Sequence, residues 1–288
     1  MAVSRRFENI AGSRVAFLEA AGSGVPSGAS GMEDPVLLVH GLFTSCFLWR
    51  NLVGRHGGPR RLLAPDFEGF GDTHCASQFE LGFERQTEFL GSFLLARTGL
   101  VPVTVVAHSH GAVPALMLAM QKPGLVRDLV LVSPVFPPDF PGPLARPFLW
   151  AARSRLSWEA FLRSGLARAH VERELRRAFL GRGPETDAAV EEFWRPFANS
   201  PTACTRLRRV FEGCDGRLVN TYARHLDHVR RPVKVIVGRL DRQVDGHAAA
   251  PPAARLAAAI PGATAHVVDG AGHFLPLEDP DLLLSMLS

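Results

Sequence analysis

One stretch, residues 103–120 (VTVVAHSHGAVPALMLAM), places a serine where it could act as a nucleophile. An apolar run ends in Ala107-His108-Ser109-His110-Gly111 and passes directly into a helical pattern. This is the small-x-Ser-x-small pattern of a tight strand-to-helix turn. Small residues two places either side of the serine avoid a clash, and the turn lifts the serine Oγ out of a sheet's carboxyl edge. The same turn sets the His110 N–H at a helix start, where it could stabilise an oxyanion. The bland alternative for Ser109 is an ordinary helix N-cap.

Three further segments occur in an order that suits this chemistry. His40-Gly41-Leu42-Phe43 closes the apolar run VLLVHG, and Leu42 could donate a second oxyanion N–H. Asp241 follows the run VKVIVG, with Asp245 as a nearby competitor and Asp139 as a weaker alternative. Gly270-Ala271-Gly272-His273 follows the last apolar run, and its small residues would let a loop bring an imidazole over the serine. The order Ser…Asp…His is that of one hydrolase fold and differs from those of chymotrypsin and subtilisin.

The elements that must position these residues are short apolar runs: 14–20, 36–41, 61–66, 103–109, 129–134, 233–238 and 264–270. Several are apolar throughout, as parallel strands buried on both faces are. Helical patterns at 47–55, 84–98, 112–121, 248–259 and 281–287 lie between most of them. The alternation predicts an α/β architecture, an eight-stranded, mostly parallel sheet with helices on both faces. The segment 20–34 reads as a Gly/Ser-rich loop after a first hairpin. The rhythm breaks at Pro134: residues 136–230 hold helical stretches around 146–165, 167–180, 186–198 and 202–228 but no convincing strand. The division read here is a core of 1–135 and 231–288 with an inserted helical cap at 136–230.

The 288 residues are 47% hydrophobic and 21% charged, which excludes disorder, coiled coil and collagen-like repeats as the main state. No run is long and apolar enough for a transmembrane helix. The start, MAVSRRFENIAGSR, has no apolar stretch behind its arginines, so no signal peptide is read and a cytoplasmic protein is expected. The four cysteines form no CxxC pair and are expected to be free thiols rather than a disulfide or zinc framework. His225 and His228 stand at helical spacing, but no third ligand accompanies them, so neither metal nor cofactor is expected. Net charge is +4, too small by itself to point to nucleic acid.

With these motifs in register, the sequence resembles the α/β-hydrolase superfamily with a helical cap. PDFEGFGDT (65–73) also resembles that family's D-x-x-G-x-G-x-[ST] segment. The resemblance implies Ser109 as nucleophile, His273 as general base and Asp241 as orienting acid. Leu42 and His110 would form the oxyanion hole, and Gly41, Phe43 and His110 would contact substrate. Ala107 stands where glycine is commoner, and His110 where relatives often carry an apolar or amide side chain. Haloalkane dehalogenases and epoxide hydrolases of this fold use aspartate, so the serine marks a different branch.

An ester, thioester or lactone of a small to medium, partly apolar acyl compound is the expected substrate. C–C bond hydrolysis, cofactor-free lyase or proton-abstracting chemistry and a non-catalytic ligand-binding relative remain as alternatives. The segment 136–231 carries 17 arginines against 11 acidic residues. That excess points either to an anionic or carrier-linked substrate or to a solvated Arg/Glu surface. His108 is read as locally packed, and Asp66 and Asp72 as turn residues. The cap's apolar residues, among them Phe148, Trp150, Leu156, Trp158 and Trp194, are divided between packing and pocket.

Overall fold

The computed structural model describes residues 4–22, 35–75, 80–137, 140–243 and 250–287. Most of the Gly/Ser-rich loop, together with Asp139 and Asp245, lies outside the described residues.

The strands are β1 (Arg6–Ile10), β2 (Ser13–Ala20), β3 (Val36–Val39), β4 (Leu62–Pro65), β5 (His74–Cys75), β6 (Val103–His108), β7 (Val126–Val132), β8 (Val233–Gly238) and β9 (Thr264–Val268). They form one sheet in the order β1-β2-β4-β3-β6-β7-β8-β9, with β5 pairing beside β2. The eight expected strands are therefore joined by a ninth of two residues, in register Ser13↔Cys75 and Arg14↔His74. Only the pairings of β2 are antiparallel; β4, β3, β6, β7, β8 and β9 run parallel.

Parallel pairing decides where chemistry can sit. The carboxyl ends of β3, β6, β7, β8 and β9 share one edge, and ligands of open α/β sheets bind outside that edge. β6 is fully buried along its length and pairs with β3 on one side and β7 on the other. Its Val-Thr-Val-Val-Ala sequence suits a strand covered on both faces.

The core helices are α1 (Arg50–Arg55), α2 (Phe83–Thr98) and α3 (Ala112–Gln121). α2 and α3 pack on each other. Between β7 and β8 the described residues contain only helices. These are α4 (Gly142–Ala151), α5 (Arg155–Arg163), α6 (Leu166–Ala178), α7 (Pro184–Ala198), α8 (Pro201–Glu212) and α9 (Gly216–Ala223), followed by one 3₁₀ turn. After β8 come α10 (Ala250–Ala259), α11 (Leu275–Glu278) and α12 (Pro280–Leu287), and α1 packs with the last two.

Capping residues set boundaries that periodicity missed. The stretch read as one helix at 146–165 divides at Ser154, whose hydroxyl accepts the Ser157 N–H. The stretch at 202–228 divides at Asp215, whose carboxylate accepts the Arg217 N–H. The stretch at 47–55 opens as a 3₁₀ turn, Cys46–Trp49, capped by Ser45. In each case a side chain satisfies N–H groups that the previous turn cannot reach. Among the described residues, no helix is long and apolar enough to cross a membrane.

Candidate active site

β6 delivers Ser109 at its carboxyl end, and the chain turns through Ser109–Gly111 straight into α3. Ser109 has φ +54°, in the left-handed region that costs a non-glycine residue energy. The surroundings hold it there. Its carbonyl accepts the Val135 N–H at 3.2 Å, tying the turn to the exit of β7. A Cβ on Gly111 would lie 2.5 Å from the His40 carbonyl oxygen, so only glycine lets the helix start this close to the β3 loop. A Cβ on Gly41 would lie 2.8 Å from the Ser109 Cβ, which is the same closeness seen from the other side.

The imidazole arrives from the loop after β9 and the carboxylate from the loop after β8. His273 Nδ1–H donates to Asp241 Oδ2 at 2.9 Å, and both side chains are buried. Donation through Nδ1 leaves Nε2 with its lone pair. Asp241 also accepts the Gln243 N–H at 2.9 Å. Burial alone would raise the Asp241 pKa; the His273 imidazole and these hydrogen bonds outweigh it and hold the carboxyl below its usual value. Ser109 Oγ makes no hydrogen bond to His273 here, as free enzymes often show before substrate tightens the site.

Three other histidines frame the site, each with a definite tautomer. His40 Nδ1–H donates to the Gly41 carbonyl at 2.8 Å, and Nε2 accepts the Phe67 N–H at 2.9 Å. Thr44 Oγ1 donates to the same carbonyl at 2.9 Å, so two donors fix the loop that carries Leu42. His108 Nε2–H donates to the His273 carbonyl at 2.9 Å, and its ring stands edge-on to the His273 ring at 4.7 Å. His110 Nε2–H donates to the Pro141 carbonyl at 2.8 Å, tying the turn to the start of α4. Burial lowers all three pKa values, His108 to about 3 and His110 to about 4, so these rings are neutral at ordinary pH.

Two adjoining cavities share Leu42 and His110 as wall residues. The smaller is lined by Ser109, His273, Thr44 and Gln243 among others. The larger is lined mainly by apolar groups including Phe67, Phe83, Pro114, Phe140, Leu149 and Phe211, and also by Gly41.

Phe43, expected to contact substrate, lines neither cavity. It is fully buried against Phe148 at 4.5 Å and Phe211 at 5.8 Å, because the helices between β7 and β8 pack onto the β3 loop at this point. Asp66 is a hydrogen-bonding residue that accepts the Cys46 and Asp72 N–H groups, and Asp72 pairs with Arg5 and Arg195. Desolvation raises the pKa of all four thiols, Cys214 to about 12, so they stay protonated. His225 and His228 face each other at 5.4 Å, but no group of three metal-binding side chains exists among the described residues. Thr44, Gln86 and Gln243 went unread in the sequence. Each is a lone polar residue with no spacing that singles it out.

The model of the alpha/beta hydrolase family matches residues 36–285, and the chain belongs to that family of enzymes. BODYGUARD 3 of Arabidopsis thaliana is 30% identical over 118 residues, which is 40% of this chain and 24% of that protein. The magnesium-chelatase 30 kDa subunit of Rhodobacter capsulatus is 27% identical over 266 residues, covering 88% of this chain and 86% of the subunit. Among solved structures, an alpha/beta hydrolase fold protein from Burkholderia ambifaria superposes with a TM-score of 0.76 at 20% identity, covering 98% of this chain and 96% of that one.

Proposed function

We propose that the protein is a serine hydrolase that cleaves an ester, thioester or lactone of a partly apolar acyl compound. One observation carries this reading: His273, paired with buried Asp241 at 2.9 Å, and the left-handed Ser109 line the same cavity. In the proposed sequence, His273 Nε2 takes the Ser109 proton as Oγ bonds to the substrate carbonyl carbon. The imidazolium, held by Asp241, then protonates the leaving group. The Leu42 and His110 N–H groups stabilise the oxyanion, and water attacks the acyl-serine to regenerate Ser109. The apolar cavity beyond His110 would take the acyl body, with the helices between β7 and β8 as its lid. No arginine lines either cavity among the described residues, so the arginine excess has no part in this reading.

A fluorophosphonate should label Ser109, and Ser109→Ala should lower turnover by at least about a thousandfold without loss of the fold. Unchanged turnover would reject serine catalysis. A second reading keeps the same residues and changes the reaction: His273 abstracts a substrate proton and Ser109 only binds. That reading requires His273→Ala to be far more damaging than Ser109→Ala, with generic esters left intact.

A further inference from the structure

The larger cavity contains a polar anomaly. Three of its lining residues, His40, Gln86 and His110, carry polar side chains that are nine-tenths or more buried. His40 has both ring nitrogens engaged, as described. The other two do not. Gln86 Nε2 donates to the Glu68 carbonyl at 2.8 Å and the Leu81 carbonyl at 3.1 Å. These bonds fix the amide's orientation and leave Oε1 as an acceptor without a partner. His110 spends its one N–H on Pro141, which leaves Nδ1 as a second unpartnered acceptor. Gln86 is 5% exposed and His110 9%, so bulk water does not reach them freely.

Buried acceptors without partners are rare and costly in folded proteins, and both residues that carry them line one largely apolar cavity. Neither can become a donor: the amide N–H groups are already spent, and burial keeps His110 neutral. A purely hydrocarbon ligand would leave both orphaned. We propose that this cavity selects an acyl group bearing hydroxyl donors on an apolar body, one donating to His110 Nδ1 and one to Gln86 Oε1. The positions follow from the walls. His110 lines both cavities and therefore reads a hydroxyl close to the reacting carbonyl, whereas Gln86 lines only the larger cavity and reads one further along the chain. This inference rests on the acyl assignment of that cavity made above.

The test compares p-nitrophenyl esters of one medium-chain acid, unsubstituted, hydroxylated next to the carbonyl, or hydroxylated toward the chain end. In the wild-type enzyme each hydroxyl should raise kcat/KM roughly ten- to a hundredfold, the size expected when one buried unpaired neutral group gains its partner. Gln86→Met should reduce the distal preference to about twofold or less and keep the proximal one, and His110→Phe should do the converse. This crossed pattern cannot arise from a general loss of folding. Equal rates for all three esters in the wild-type enzyme, or both preferences falling together in each variant, would overturn the proposal. Should no ester be hydrolysed, the hydrolase reading fails separately. Calorimetric binding of the three free acids to Ser109→Ala then decides the donor preference by itself, with equal affinities again overturning it.

Discussion

The carboxyl edge of the sheet and the helical segment from α4 to α9 solve different problems with different materials. At the sheet edge, backbone geometry dictates residue identity: Gly41 and Gly111 are there because no Cβ fits, and Ser109 is held in a conformation serine rarely adopts. The polar side chains there are paired through buried hydrogen bonds with fixed tautomers, such as His273–Asp241 and His108 to the His273 carbonyl. The helical segment instead sorts its residues by face. Phe148, Trp158, Phe193, Trp194 and Phe197 are buried, whereas Trp150 is 62% and Leu156 82% exposed. Several of its arginines pair with nearby acidic residues, as in Arg155–Glu159, Arg168–Glu172 and Arg208–Glu212. Such exposed pairs contribute little to stability. The contrast teaches that the geometry of the candidate site hangs on a few positions with little steric freedom, whereas the helices between β7 and β8 need only keep an apolar inner face.

Substitutions in the two regions should therefore fail in different ways. Asp241→Asn removes the acceptor that sets the His273 tautomer, and should cut turnover on the order of a thousandfold or more. The melting temperature should move little by comparison. A drop of less than tenfold would remove Asp241 from the reaction. In the helical segment, Phe148→Ala should cost about 3–5 kcal/mol of stability in urea denaturation, because its ring contacts Phe43, Trp158, Phe161 and Phe211. Ser109 should still react with a fluorophosphonate in that variant. Loss of labelling in the folded variant would show that the aromatic contact controls the site as well as stability.

The histidines give a smaller, pH-dependent effect. Unfolded, His108 and His110 take up protons near the ordinary value of 6.5; folded, they resist to about 3 and about 4. The unfolded state thus binds more protons between those limits, and stability falls as pH drops through the window. Each histidine contributes a slope of about 1.4 kcal/mol per pH unit at most. Asp241, with its pKa depressed, adds to the loss at the acid end. Urea midpoints measured from pH 7 to 4 should show the fall, and His108→Gln should make it shallower; an unchanged slope would show that His108 contributes nothing to the acid sensitivity. The least effect is expected from Trp150→Ser and Leu156→Gln, each within about 0.5 kcal/mol, since neither side chain is packed.

Much of the site was legible because its constraints are local. An apolar strand entering Ala-His-Ser-His-Gly and then a helix describes its own turn, and the three loops carrying Gly41, Asp241 and His273 each follow an apolar run. Parallel strands buried on both faces also announce themselves as continuous apolar stretches, so the sheet and its order of elements could be read directly. What the chain did not disclose were contacts between residues distant in sequence. Nothing in HSHGA says that His108 holds the carbonyl of His273 while His110 holds that of Pro141, yet these bonds decide which histidine is structural. Phe43 sits in the loop that follows β3 and reads as a substrate contact until α4 and α8 bring Phe148 and Phe211 down upon it. Gln86 is one polar residue among many on α2, and only the packing around Phe83 and Phe140 makes it part of a cavity wall. Sequence alone determined the candidate serine, carboxylate and imidazole and the edge they occupy, because backbone sterics and strand burial act over a few residues. Tertiary structure decided protonation, cavity shape and the division of the histidines between framework and chemistry, because burial and hydrogen-bond partners exist only once distant segments meet.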